Sequence, residues 1–100
     1  MNTRLDQINL DVQFSKAKAA FEECINNPED EYLSEEIDIP VSEIITKNES
    51  VKIQFSENDK NHYVVETLLL LFTPSDEKIG YYCLHEDEDE EVVDDYLVFE

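Results

Sequence analysis

Two long stretches of this chain contain no lysine or arginine. Residues 19–46 hold nine carboxylates with no basic residue among them, and residues 79–100 hold nine more, again unopposed. The remaining segments nearly balance: residues 1–18 sum to +1 and residues 47–78 to −2, which accounts for the formal net charge of −19. Charges of one sign at this density repel one another and destabilise a compact state. A fold does not require them, so a positively charged partner, or the avoidance of polyanions, is the reason to keep them.

Other absences exclude whole classes of function. A single glycine rules out the glycine-rich loops that cradle phosphates. The seven basic residues, Arg4, Lys16, Lys18, Lys47, Lys52, Lys60 and Lys78, are dispersed. That excludes nucleic acid as a direct ligand and disfavours an anionic membrane surface, since both need clustered cations. The longest apolar run, 68–72, is far too short to span a bilayer. The first residues lack the apolar core of a signal peptide. Two cysteines, Cys24 and Cys83, are too few for a secreted disulfide framework. Among apolar neighbours they read as reduced, buried thiols of a cytoplasmic protein.

The hydrophobic residues, 41% of the chain, are gathered into patterned runs, which argues for one globular domain over residues 1–100. Residues 7–14 alternate Ile8, Leu10, Val12 and Phe14 with polar residues, the period of a strand. Residues 15–27 change period and place Ala17, Ala20, Phe21, Cys24 and Ile25 on one helical face. Leu10 and Phe14 extend that face backwards. One helix from Thr3 to Asn27 therefore competes with a strand and a short helix, and the long helix is slightly favoured. Asn26-Asn27-Pro28 ends it. An acidic connector follows, then an edge strand or arm over 37–41 and a turn at Lys47-Asn48-Glu49.

Residues 50–56 alternate Val51, Ile53 and Phe55 inward. Residues 62–73 suit a central strand buried on both faces. The turn chemistry of 74–77 leads to a strand over 78–85, where Gly80 marks a bulge. An acidic loop over 86–91 precedes a last strand over 92–99. Its Val92, Asp94, Tyr96 and Val98 face one side, and Val93, Asp95, Leu97 and Phe99 the other. Short strands with short turns form an antiparallel meander of about four strands. With one N-terminal helix packed on it, the fold class is α+β.

No catalytic or cofactor constellation emerges. Cys83 and His85 share a strand face but lack an orienting residue and an oxyanion hole. Cys24, Cys83, His62 and His85 are the right residue types for zinc without the paired knuckle spacing. The acidic run lacks the turning glycine of a calcium loop. The expectation is therefore no metal, no cofactor and no enzyme.

The acidic blocks read instead as a partner surface: Glu29, Asp30, Glu31, Glu35 and Glu36 in the first, and Glu86, Asp87, Glu88, Asp89, Glu90, Glu91, Asp94 and Asp95 in the second. Carboxylates on alternate residues of an extended segment lie about 6.6 Å apart, a pitch that loosely imitates a phosphate row. Tyr32, in the acidic connector, is the candidate anchor. Tyr63 and one of Tyr81 and Tyr82 read as structural. The function implied is a non-enzymatic inhibitor, immunity-type protein or DNA mimic that occludes the basic groove of a nuclease or other nucleic-acid-binding protein. The alternative is a homodimeric adaptor or secretion-chaperone-like domain whose acidity only confers solubility.

Overall fold

The computed structural model describes residues 9–26, 39–58 and 62–100. A helix, α1 (Leu10–Ile25), is followed by a 3-10 turn (Val41–Glu43) and four strands: β1 (Ile45–Phe55), β2 (Tyr63–Phe72), β3 (Lys78–Glu86) and β4 (Val92–Phe99). The strands pair antiparallel in the order β1-β2-β3-β4. The helix packs against one face, chiefly over β2 and β3. The fold is α+β, with an N-terminal helix on a four-stranded meander.

The helix begins where Asn9 can cap it. Asn9 is extended (φ −110°, ψ 122°), and its side-chain oxygen accepts from the amides of Asp11 at 2.9 Å and Val12 at 3.3 Å. This satisfies donors that the first helical turn leaves without partners. Residues 10–14 are therefore helix and not strand, while the start of the longer helix at Thr3 lies outside the described residues. The helix buries a narrow stripe, Gln13, Ala17 and Phe21, at four-residue spacing. Leu10 and Val12 stay 59% and 48% exposed, whereas Phe14 packs against the core, so within the strand-like alternation Leu10 and Val12 are apolar residues facing water.

Ala17 and Phe21 pack on Leu69 and Leu71 of β2 and Tyr82 and Leu84 of β3. The Phe21 and Tyr82 rings meet at 5.7 Å between centroids. Strand β2 alternates strictly between buried and half-buried residues. Its helix-facing set is sealed while Val64, Glu66, Leu68, Leu70 and Phe72 turn to the other face. The continuous apolar run thus belongs to a strand covered on one side by the helix, and the expected burial on both faces is not found among the described residues.

Lys47-Asn48-Glu49 is not a turn. Strand β1 runs through it, and the register with β2 shifts between Asn48 and Ser50. An edge strand absorbs an extra residue as a bulge without losing its partner. Residues 39–43 form a bend and the 3-10 turn in place of the expected arm; residues 37 and 38 lie outside the described residues. Gly80 does sit beside a register shift, between Leu71 and Phe72. A Cβ added there would overlap the carbonyl oxygen of Val98, so the missing side chain is what lets β4 approach. A second shift, between His85 and Glu86, carries Val92 to the helix side, where it lines a groove with Ala20, Tyr82, Leu84 and Asp95. The expected face of Val92 is corrected accordingly.

Candidate protein-interaction surface

The acidic run folds as a tight hairpin, and its backbone repeats that of the neighbouring one. In the β3–β4 turn the Asp87 amide donates to the Glu91 carbonyl at 2.8 Å and the Glu90 amide to the Asp87 carbonyl at 3.1 Å. In the β2–β3 turn the Thr73 amide donates to the Glu77 carbonyl and the Asp76 amide to the Thr73 carbonyl, both at 2.9 Å. Each turn places its fourth residue in the left-handed region, Glu90 at φ 66° and Asp76 at φ 67°. Each also uses the side-chain oxygen of its first residue to hold the amide of its fifth: Asp87 to Glu91 at 2.9 Å and Thr73 to Glu77 at 3.1 Å. This is the three-residue hairpin connection with a left-handed closing residue. The chain builds it twice without glycine.

That geometry corrects two expectations. The carboxylates of 87–91 cluster on a compact knuckle instead of forming an extended row, so the phosphate pitch of a straight strand is absent. Glu86 is not part of the knuckle's surface either. It is 3% exposed, accepts from the Gln13 side-chain amide at 2.9 Å and pairs with Lys16 at 3.4 Å. A buried carboxylate needs such partners, and Gln13 and Lys16 supply them from one face of α1. Glu86 therefore fastens the helix to the sheet and is removed from any partner-facing set.

The other carboxylates remain at the surface with distinct duties. Asp87 is half-buried and spent on the turn, accepting from the Asp89 and Glu91 amides at 2.9 Å each. Glu90 reaches Lys16 at 3.0 Å. Glu88 meets His62 at 2.5 Å, and a backbone amide followed by His62 holds its carboxyl below the usual range. Asp94 accepts from the Tyr96 hydroxyl at 2.7 Å and the Asp95 amide at 2.9 Å; these bonds, the tyrosine's first, lower its pKa. Asp95 accepts from Tyr82 at 2.8 Å. Burial, then that bond, pushes the Tyr82 hydroxyl well above an ordinary tyrosine. Asp89 and Glu91 are exposed and pair with no cation among the described residues.

Glu29, Asp30, Glu31, Tyr32, Glu35 and Glu36 lie outside the described residues. Of the other tyrosines, Tyr63 and Tyr82 are buried, in keeping with a structural role, while Tyr96 is 48% exposed beside the acidic hairpin. Lys16 and His62 were invisible as local partners of the acidic run because they stand 74 and 26 residues from the carboxylates they meet.

The thiol and imidazole groups do not converge. Cys24 lies on the helix and Cys83 on the opposite sheet face, and no disulfide joins them. Burial, with Glu66 nearby, raises the Cys83 pKa, which makes it a poorer nucleophile. His62 and His85 line a shallow cleft of about 350 Å³ with Glu66, Asp87 and Glu88. Among the described residues no three His, Cys, Asp or Glu side chains gather as metal ligands do, and no helix is long and apolar enough to cross a membrane. Comparisons with known proteins place the chain in no family: no family model, curated protein or solved structure matches it.

Proposed function

We propose that this chain is a non-enzymatic acidic binding module that occludes a basic cavity or groove of a partner protein, of the kind a nuclease or other nucleic-acid-binding protein presents. The observation that supports this reading is the contrast between two hairpins with one backbone. The turn at 73–77 folds with two acidic residues, Asp76 and Glu77, whereas the turn at 87–91 is acidic at all five positions. Turn geometry therefore leaves the surplus unexplained, and a cationic partner explains it. Asp89, Glu91 and the outer edges of Glu88 and Glu90 form a blunt knuckle, which suits plugging a basic pocket better than tracking a strand of phosphates. Tyr96, rooted by its bond to Asp94, offers an aromatic contact at the margin. Inhibition would be by charge complementarity and steered association, with no bond made or broken.

The test is the salt dependence of affinity for whatever basic protein the chain captures from its own cells. Affinity is expected to fall steeply as salt rises, because exposed charges are screened beyond about 10 Å at ~0.1 M ionic strength. An affinity that is flat across that range contradicts the electrostatic mechanism.

A further inference from the structure

The sheet face opposite α1 is apolar, and its charges are ordered in a way that points to an occupant. The register aligns Lys52 of β1, Glu66 of β2, His85 of β3 and Asp94 of β4 in one row across all four strands. His85 lies 3.7 Å from Glu66, and its ring meets Tyr96 at 5.2 Å. The next rows hold Leu68 beside Cys83 and Leu70 beside Tyr81, all half-buried. Among the described residues no element packs on this face.

We propose that a second copy of the chain covers it, related by a two-fold axis running parallel to the strands between β2 and β3. That operation keeps every residue in its row and reverses the order of the strands, so that β1 lies over β4 of the other copy and β2 over β3. Lys52 then opposes Asp94 at both ends of the row, and Glu66 opposes His85 at its centre. Leu68 opposes Cys83 and Leu70 opposes Tyr81 in the apolar rows. A two-fold interface must be self-complementary, and this row is: Lys52 meets a carboxylate, and the Glu66 carboxylate meets the His85 imidazole, a ring that can donate a hydrogen bond to it. An axis crossing the strands at that row fails the same requirement, because it sets Lys52 on Lys52, Glu66 on Glu66 and Asp94 on Asp94.

Size and reach agree. Four strands about 4.8 Å apart and some ten residues at about 3.3 Å each present roughly 600 Å² in projection, close to one side of a standard interface, about 800 Å². Stacked sheets cross at about −30°, which shifts the outer members of the row by roughly 4 Å from direct opposition, within the span of a lysine side chain. Each copy carries a formal −19, so long-range repulsion opposes association while apolar burial favours it. Salt screens the first and spares the second. This dimer should therefore tighten as salt rises, the reverse of the dependence expected for capture of a basic partner, and it stands whether or not the acidic knuckle binds one.

Sedimentation velocity of the full chain at low and high salt tests it. A dimer that strengthens with salt is expected. Lys52→Asp and Asp94→Lys should each weaken it by about tenfold, and the double exchange should restore it to near the original value, as opposed charge pairs do across interfaces. Leu70→Arg should abolish it. The three charge variants alter exposed side chains away from the core, so circular dichroism should show the fold unchanged. A monomer at every salt concentration overturns the proposal and leaves the face to a different occupant. So does a dimer that ignores Leu70→Arg, or one that the double exchange fails to restore.

Discussion

The turn at 73–77 and the turn at 87–91 stand at opposite ends of one sheet, share hydrogen bonds, side-chain cap and left-handed closing residue, and carry very different charge. Around the first, carboxylates have local cations: Lys47 pairs with Asp76, and Lys78 with Glu100 at 3.0 Å. Around the second, Lys16 and His62 meet Glu86, Glu90 and Glu88, Asp87 holds the turn, and Asp89 and Glu91 face water. The first end shows what the hairpin needs to fold. The difference between the two is charge that folding does not explain, and that difference is what the proposed binding role rests on.

The largest expected effect breaks the bond by which the acidic hairpin's base fastens the helix. Gln13→Ala leaves the buried Glu86 carboxylate with Lys16 as its remaining side-chain partner among the described residues, and urea unfolding should show a loss of about 2–3 kcal/mol. Among the described residues nothing comparable ties the helix to the 73–77 turn. A loss below about 0.5 kcal/mol, the scale of an ordinary surface substitution, would make Glu86 a surface carboxylate after all. Next comes the functional half of the contrast. Glu88→Lys with Asp89→Lys should slow association with a basic partner by about tenfold or more at low salt, whereas Asp76→Lys with Glu77→Lys should leave it nearly unchanged. Equal slowing by both pairs would reduce the effect to net charge.

A smaller effect tests that the two backbones are equivalent. Glu90→Gly and Asp76→Gly each relieve a left-handed residue, by about 1 kcal/mol or less. Each change gives up one exposed ion pair, Glu90 with Lys16 and Asp76 with Lys47, so these losses offset in the comparison and glutamate should gain more than aspartate, which tolerates that region better. Thermal melts would read the order. The smallest effect concerns pH. The Glu88 carboxyl titrates below its ordinary 4.5, so the folded state binds fewer protons than the unfolded chain there. Its contribution is present above that value and is lost as pH falls through the lowered one. The melting difference between wild type and Glu88→Gln should therefore be small at neutral pH and vanish in acid.

The sheet was legible because β2 is a dense apolar run, β3 and β4 are rich in β-forming residues, and residues with strong turn chemistry separate them. Bulges were harder to read: Lys47-Asn48-Glu49 has turn composition, and only pairing with β2 shows that it is a shifted strand. The alternation of Ile8 to Phe14 kept a strand in competition with the favoured helix because Leu10 and Val12 are apolar yet exposed, a pattern that period alone assigns to a sheet. The fate of Glu86 was beyond local reading. One carboxylate in a run of six looks like its neighbours until Gln13, 73 residues earlier, arrives beside it. The self-complementary row on the open face was equally hidden, since Lys52, Glu66, His85 and Asp94 acquire their order only through three strand registers.

The central claim is best tested by parallel capture from the cells that make the protein, at low salt, with three baits: wild type, the Glu88→Lys/Asp89→Lys variant and the Asp76→Lys/Glu77→Lys variant. The account predicts one basic, nucleic-acid-acting protein retained by the wild type and the 76/77 variant, released by a salt step, and lost from the 88/89 variant. Capture that is indifferent to which hairpin is reversed, or recovery of the bait alone in all three, would contradict it.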